Sequence, residues 1–295
     1  MAVAVVTYNR ADLLVGMLAG LAALKRAPEA VIVVDNASTD HTAQVLAASD
    51  LPGLQVIRTE ENLGGAGGFH LAVGTAYRQG FDRIWLMDDD VVPAPDCLGV
   101  LMAQDEACLT SVREDRHGRL VEKAAIRFDL ANPLALKPKT AMVETTFGTR
   151  EAMPARVQVE NVAFEGFLVR REVIAAVGLP DPSYFIFYDD VDLAIRARRA
   201  GYRIWAVRDA VLVRQLDFDQ QHDLAGWKGY YMYRNLFAVH LRYGENVLVR
   251  LKPWLLTLAV VLASPLRGGR GEARNVTRAM RDARRMRSLP SSSVD

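Results

Sequence analysis

Asp88, Asp89 and Asp90 follow the apolar run Ile84-Trp85-Leu86-Met87 without a break. Such a run forms a strand buried on both faces, and three adjacent carboxylates cannot stay in those surroundings without a cation to neutralise them. The acids must sit where the strand leaves the core, and the carboxyl end of a parallel strand is where an open α/β sheet forms its ligand crevice. Side chains alternate along extended backbone, so Asp88 and Asp90 point one way and Asp89 the other. Two hard oxygen donors on one side suit Mg²⁺ or Mn²⁺, ions that complete their shells with ligand phosphates. The plainer alternative is a solvated acidic turn capping the next helix.

Two more carboxylate sites lie at the ends of apolar runs. Asp35 closes Ala30-Val31-Ile32-Val33-Val34 and could accept hydrogen bonds from a ribose or a base; equally, it could cap the turn at Ser38-Thr39. Asp189, Asp190 and Asp192 crowd the first turn of a helix, where the macrodipole favours negative charge. The large residues before them would partly desolvate a carboxylate there, which makes it a candidate general base as well as a cap. Between these sites, the loop Gly64-Gly65-Ala66-Gly67-Gly68 offers bare backbone just before a helix, as a close approach to a diphosphate requires. It is neither a dinucleotide fingerprint, being broken at His70, nor a P-loop, having no Gly-Lys-Ser/Thr.

The elements that must position these groups alternate. Strands at Val3 to Val6, Ala30 to Val34, Gln55 to Arg58 and Arg83 to Met87 are separated by helical patterns, which argues for an α/β chain with a mostly parallel sheet wound with helices. Residues 108 to 158 are the least patterned, apart from a hairpin around Asp115-Arg116-His117-Gly118. A strand from Val162 to Val169 carries Glu165-Gly166 within it, a helix follows from Arg171, and Tyr202 to Val207 reads as one more strand.

With 295 residues, 51% of them hydrophobic, the chain can bury a large core, and its net charge of +1 gives no case for nucleic acid. Two cysteines are too few for a disulfide framework, and the N-terminus shows no secretory pattern, so a cytoplasmic protein is expected.

The runs Val5-Val6-Thr7-Tyr8-Asn9-Arg10, Val33-Val34-Asp35-Asn36-Ala37-Ser38-Thr39-Asp40 and Asn62-Leu63-Gly64-Gly65-Ala66-Gly67-Gly68, the Asp88-Asp89-Asp90 triplet, and Tyr188-Asp189-Asp190-Val191-Asp192-Leu193 occur in an ordered series. The series resembles family 2 inverting glycosyltransferases of the GT-A fold. It is most similar to bacterial galactan-initiating galactofuranosyltransferases, with rhamnosyltransferases next. The resemblance implies a GT-A domain over 1–215, with a nucleotide-binding half to about 105 and an acceptor-binding half after it. It implies that Thr7, Arg10 and Asp35 hold the nucleotide and that Gly65, Gly67 and Asp89 line the donor. Asp88 and Asp90 would bind Mn²⁺ or Mg²⁺, and Asp190 would be the catalytic base. Glu165, Asp189 and Asp192 would meet the acceptor. Many relatives carry a metal-binding His where this chain has Arg214; either Arg214 assists the leaving diphosphate directly, or His222 reaches in from the next loop.

Residues 216–295 read as a helical extension. Arg234 sits in an aromatic cluster and would suit a lipid-linked diphosphate. The apolar stretch Pro253 to Leu266 is too short to span a bilayer, and the Arg-rich segment after it completes the pattern of a membrane-surface anchor. The activity so implied is transfer of galactofuranose from UDP-galactofuranose to a polyprenyl-diphosphate-linked glycan at the inner membrane face. The alternatives are rhamnosyl transfer from dTDP-rhamnose, or a catalytically silent sugar-nucleotide-binding protein.

Overall fold

The computed structural model describes residues 1–135, 137–216, 224–264 and 270–286. From the N-terminus, β1 (Ala2–Thr7), α1 (Ala11–Ala22), β2 (Ala30–Asp35), α2 (Thr42–Ala47), β3 (Leu54–Arg58), α3 (Gly64–Arg78) and β4 (Arg83–Asp88) alternate as their apolar runs require. The strands pair β3-β2-β1-β4, all parallel, with Thr7 opposite Asp35 and Val6 opposite Asp88. Helices cover both faces of this sheet, which is why its central strands are apolar at nearly every position. Val5, Val33, Trp85 and Met87 join α1 in one core. Their neighbours Val6, Val34, Ile84 and Leu86 join α3 in the other. Trp85 is fully buried, and cutting such a side chain to Ala costs about 3–5 kcal/mol.

Next come β5 (Val91–Pro93), α4 (Cys97–Met102), β6 (Cys108–Glu114), β7 (Ala125–Phe128), β8 (Lys139–Met142), α5 (Val143–Phe147), β9 (Arg156–Val159), β10 (Phe167–Arg170), α6 (Arg171–Val177), α7 (Asp189–Arg199) and β11 (Ile204–Arg214). Here the parallel winding gives way to a mixed sheet. β10 runs antiparallel between β4 and β6, and β11 is parallel to β6 but antiparallel to β5 and β9. The hairpin at 115–118 forms as expected, with the Asp115 amide donating to the Arg119 carbonyl.

Two expectations are corrected. The strand expected over Val162 to Val169 begins only at Phe167. Gly166, at φ +104°, turns the chain where a Cβ would collide with Leu212 and Ser111, and this takes Glu165 off the strand line. The glycine-rich stretch is not a loop: α3 starts at Gly64, so the glycines form its first turn.

The extension folds as α8 (Trp227–Tyr243), α9 (Val247–Ala263) and α10 (Arg270–Met286). Its core is continuous with the rest of the molecule across the expected boundary at 215, since Phe237 and Met280 share a cluster with Val191 and Ile195 of α7 and with Ala66 of α3. Among the described residues, no helix is long and apolar enough to cross a membrane.

Candidate active site

The parallel register brings Thr7, Asp35 and Asp88 to one edge of the sheet. Asp35 is buried, with Oδ1 accepting from the Ser38 amide (2.9 Å) and Oδ2 from Arg58 (2.7 Å). The turn-capping reading is thus realised, with both carboxylate oxygens used inside the protein. Arg58, at the end of the neighbouring strand β3, was not singled out from sequence, although its register opposite Asp35 supplies the charge. Asn36 ties this edge to the glycine turn: its amide nitrogen donates to the Gly64 carbonyl (2.9 Å) and its oxygen accepts from the Leu63 amide (2.9 Å).

The glycines divide by role. Gly64 has φ +73°, and a Cβ on it would stand 2.0 Å from the Phe185 carbonyl oxygen. A Cβ on Gly67 would strike Leu63 and one on Gly68 would strike Val6, whereas Gly65 faces open space. Gly65 therefore offers backbone to a ligand. Gly67, covered by Leu63, does not line a donor, which corrects the expectation for that residue.

β4 ends at Asp88, so Asp89 and Asp90 stand in the turn that follows, and the strand alternation expected through the triplet is corrected. The Thr7 hydroxyl donates to Asp89 Oδ2 (2.7 Å), and Arg10 Nη1 reaches Asp89 (3.1 Å) and Asp90 (3.3 Å). The Thr7 hydroxyl is thereby committed to Asp89 rather than open to a nucleotide. Burial pushes the Asp89 carboxyl up to about 6 against the pull of Arg10 and Thr7. Asp88 and Asp90 are raised too, first by burial and then by repulsion from neighbours including Glu165. Asp90 Oδ1 is buried without a hydrogen-bond partner among the described residues. Negative charge here exceeds what the neighbouring arginines offset, and an orphaned carboxylate oxygen faces it; both fit a divalent cation. No group of three or more His, Cys, Asp or Glu among the described residues forms a protein-only cage, so such an ion would take further ligands from a diphosphate and water.

Behind the triplet runs an ion-pair chain that sequence reasoning found only in part. Arg113 pairs with Glu122 (2.8 Å) and with Glu165 (2.6 Å), and Arg214 pairs with Glu165 (3.1 Å). Burial would raise Glu165, but Arg113 and Arg214 overcome this and hold it below its ordinary value. Arg214 is 4% exposed; it balances Glu165 and Asp90 from within rather than standing open in the cleft. Gln215 fixes the triplet's main chain: its amide donates to the Asp90 carbonyl (2.8 Å) and its side chain to that of Asp89 (3.2 Å). A Cβ on Gly16 would collide with this side chain, so the glycine marks where Gln215 passes close to α1. His222 lies outside the described residues.

The second acidic cluster separates into three fates. Asp192 is fully buried and accepts from Tyr184 (3.1 Å), Arg196 (2.8 Å), Arg242 (2.9 Å) and Tyr243 (2.5 Å). The expectation that it meets an acceptor is corrected, because both its oxygens are used inside the protein. Asp189 is buried and pushed up to about 8 by burial and by its neighbour Asp190. Asp190 is also raised, chiefly by burial, with Lys139 and the Val191 amide pulling the other way. The Glu165 and Arg113 charges act on both Asp90 and Asp190, so this ion-pair chain is near the triplet and the base candidate alike.

The chain entering α7 is strained. Phe185 has φ +63° and ψ −60°, and the Ile186 amide donates across it to the Tyr184 carbonyl (2.7 Å), a γ-turn of the unfavourable hand. Phe187 and Tyr188 also have positive φ, at 65° and 69°. Residues held this way cost on the order of 1–3 kcal/mol each. Arg234, expected at the acceptor, instead donates to the Ser183 and Tyr184 carbonyls (2.7 Å each). Its guanidinium lies over Tyr231, 4.7 Å from the ring centre.

Residues 1–229 match the family described as glycosyltransferase-like family 2. Galactofuranosyltransferase GlfT1 of Mycobacterium tuberculosis is 32% identical over 219 residues, covering 73% of this chain and 70% of that protein. N-acetylglucosaminyl-diphospho-decaprenol L-rhamnosyltransferase of the same organism is 26% identical, covering 68% and 71%. Among solved structures, the mannosyltransferase PcManGT of Pyrobaculum calidifontis, in complex with GDP-Man and Mn²⁺, superposes with a TM-score of 0.55 at 23% identity, covering 98% of this chain and 76% of that one. The edge of carboxylates, the glycine turn and the helix-borne aspartates thus stand on a GT-A fold, and the chain belongs to the family 2 glycosyltransferases.

Proposed function

We propose that this glycosyltransferase moves galactofuranose from UDP-galactofuranose to a polyprenyl-diphosphate-linked glycan with inversion at the anomeric carbon. The observation that carries the reading is the sheet edge at which the parallel register sets Thr7, Asp35 and Asp88 together, with Asp90 Oδ1 beside it buried and without a hydrogen-bond partner among the described residues. The backbone at Gly65 holds the nucleotide side, next to the turn that Asp35 anchors through Ser38 and Arg58. Asp88 and Asp90 hold Mn²⁺ or Mg²⁺, which when bound supplies Lewis-acid stabilisation of charge on the diphosphate. Arg10, its side chain 45% exposed, adds positive charge beside it. Asp190 takes the proton of the acceptor hydroxyl as that oxygen attacks, and its raised pKa suits the task. Glu165 and Asp189 line the acceptor side, while Arg214 keeps Glu165 ionised.

The relative named a galactofuranosyltransferase supports the donor, and the rhamnosyltransferase relative supports dTDP-rhamnose as the second reading. A panel of both donors with a synthetic prenyl-diphosphate glycan, read by mass spectrometry, tests this. A mass gain from the UDP sugar is expected, and exclusive rhamnose transfer overturns the assignment.

We infer further that the enzyme works on the inner membrane face. Leu248, Leu251, Leu255, Leu258 and Leu262 are exposed along one face of α9, and burying each would contribute about 1.5–3 kcal/mol. The arginines of α10 supply charge for anionic headgroups. Leu255→Glu with Leu258→Glu is expected to release the enzyme from anionic vesicles in sedimentation; unchanged binding sinks the idea.

A further inference from the structure

Asn235 lies on α8, more than forty residues along the chain from the base candidate, and is fully buried. Its amide nitrogen donates to three main-chain carbonyls, those of Tyr184 (3.0 Å), Ile186 (2.7 Å) and Phe187 (2.9 Å). An amide has only two hydrogens to give, so one is shared. Its oxygen accepts from Arg234 Nε (2.8 Å), and Arg234 Nη2 grips the Ser183 and Tyr184 carbonyls. All of these main-chain contacts end on the segment that carries Phe185, Phe187 and Tyr188 at positive φ. Such backbone persists only where its surroundings over-determine it.

The segment is joined to both halves of the cleft. The Phe185 carbonyl accepts from the Ala66 amide (3.1 Å) in the glycine turn, and Tyr188 leads directly into Asp189 and Asp190. One helical face of α8 continues the grip two turns on, where Arg242 and Tyr243 reach Asp192. If the segment relaxed toward ordinary backbone, Asp190 would swing with it while the sheet edge beneath stayed in place.

We propose that Asn235, oriented by Arg234, is a positioning residue for sugar transfer: it fixes the left-handed turn that aims Asp190 at the acceptor hydroxyl. The inference rests on Asp190 being the base. It gives the C-terminal helices a part in the reaction.

A purely structural Asn would lower folding and every activity together, whereas positioning separates turnover from nucleotide binding. Full-chain Asn235→Ala and Asp190→Asn would be assayed for transfer to the lipid-linked acceptor, with UDP affinity in the presence of Mn²⁺ read by calorimetry. We expect Asn235→Ala to lower kcat about 100-fold, as a displacement on the order of 1 Å does, with UDP affinity unchanged. Unchanged kcat overturns the proposal, as does a loss matched by an equal loss of UDP binding or of folded fraction. Retained turnover in Asp190→Asn overturns the base assignment and this inference with it. A dead Asp190→Asn beside a fully active Asn235→Ala overturns the inference alone. Should Asn235→Ala not fold, Arg234→Lys keeps the charge but loses the grip on two carbonyls. It is expected to lower kcat about tenfold, the worth of one charge-assisted hydrogen bond, with UDP affinity intact; unchanged kcat there overturns the proposal.

Discussion

The two acidic clusters look alike in sequence, three aspartates within four residues at the end of an apolar or aromatic run, and the fold treats them in opposite ways. At 88–90 the charges crowd one edge, and Asp88 and Asp90 are raised by burial and by each other or Glu165. At 189–192 the cluster is divided by helix geometry. Asp192 turns inward onto two arginines and two tyrosine hydroxyls, while Asp190 accepts from the Val191 amide alone among the described residues. The turn after β4 lets one side chain, Arg10, reach both Asp89 and Asp90, whereas a helix sends successive residues about 100° apart. Unmet negative charge therefore marks binding chemistry, and fully met charge marks architecture.

Two substitutions break that comparison hardest. Asp190→Asn is expected to lower transfer about 10²–10⁴-fold, the usual contribution of a general base, while UDP affinity by calorimetry stays at the parental value. Turnover retained would move the base elsewhere. Asp192→Asn should act on folding instead. Removing the buried carboxylate takes from Arg196 its ion-pair partner and leaves Arg242 with Asp181 alone, at about 3–5 kcal/mol, read from urea denaturation. A rise in acceptor KM with stability intact would restore Asp192 to the acceptor site.

The first ninety residues were almost fully legible, because buried parallel strands announce themselves as apolar runs and their ends must then carry the polar groups. The strand-end positions of Asp35 and Asp88, and the helix start that carries Asp190, were read that way. The rest was hidden where a residue's partner is remote in sequence. Nothing local in Asp192 distinguishes it from Asp190, since its buried state is set by Arg242 and Tyr243 some fifty residues on. Arg234 read as a ligand for phosphate because an aromatic and basic cluster was visible, and the carbonyls it grips were not. Glu165 was misplaced on a strand because an apolar run tolerates one glycine on paper, while the φ that Gly166 adopts is a packing outcome.

Asp88→Asn sharpens the other side. It is expected to make UDP affinity indifferent to Mn²⁺ in calorimetry. Because it removes a carboxylate that burial and repulsion disfavour in the folded state, it should also raise the melting temperature of the metal-free protein. The size expected is about 1–2 °C, the shift about 1 kcal/mol gives in a chain of this length. A protein that loses stability on this change, without metal present, would mean that Asp88 is held by partners as Asp192 is.

The smallest effect is the pH dependence of Asp189, which lies between the two extremes: buried like Asp192, yet raised like Asp88. Its folded pKa of about 8 stands above its unfolded value, so the folded state binds the proton more tightly. The stability this contributes is fully present below about pH 4, declines as pH rises, and is gone once pH passes the folded value. Asp189→Asn carries no proton to lose. Relative to the parent, it should therefore gain stability at pH 8 compared with pH 5, with chemical denaturation at the two pH values as the measure. The opposite sign would require Asp189 to be ionised and paired, and the second cluster would then hold two structural carboxylates in place of one.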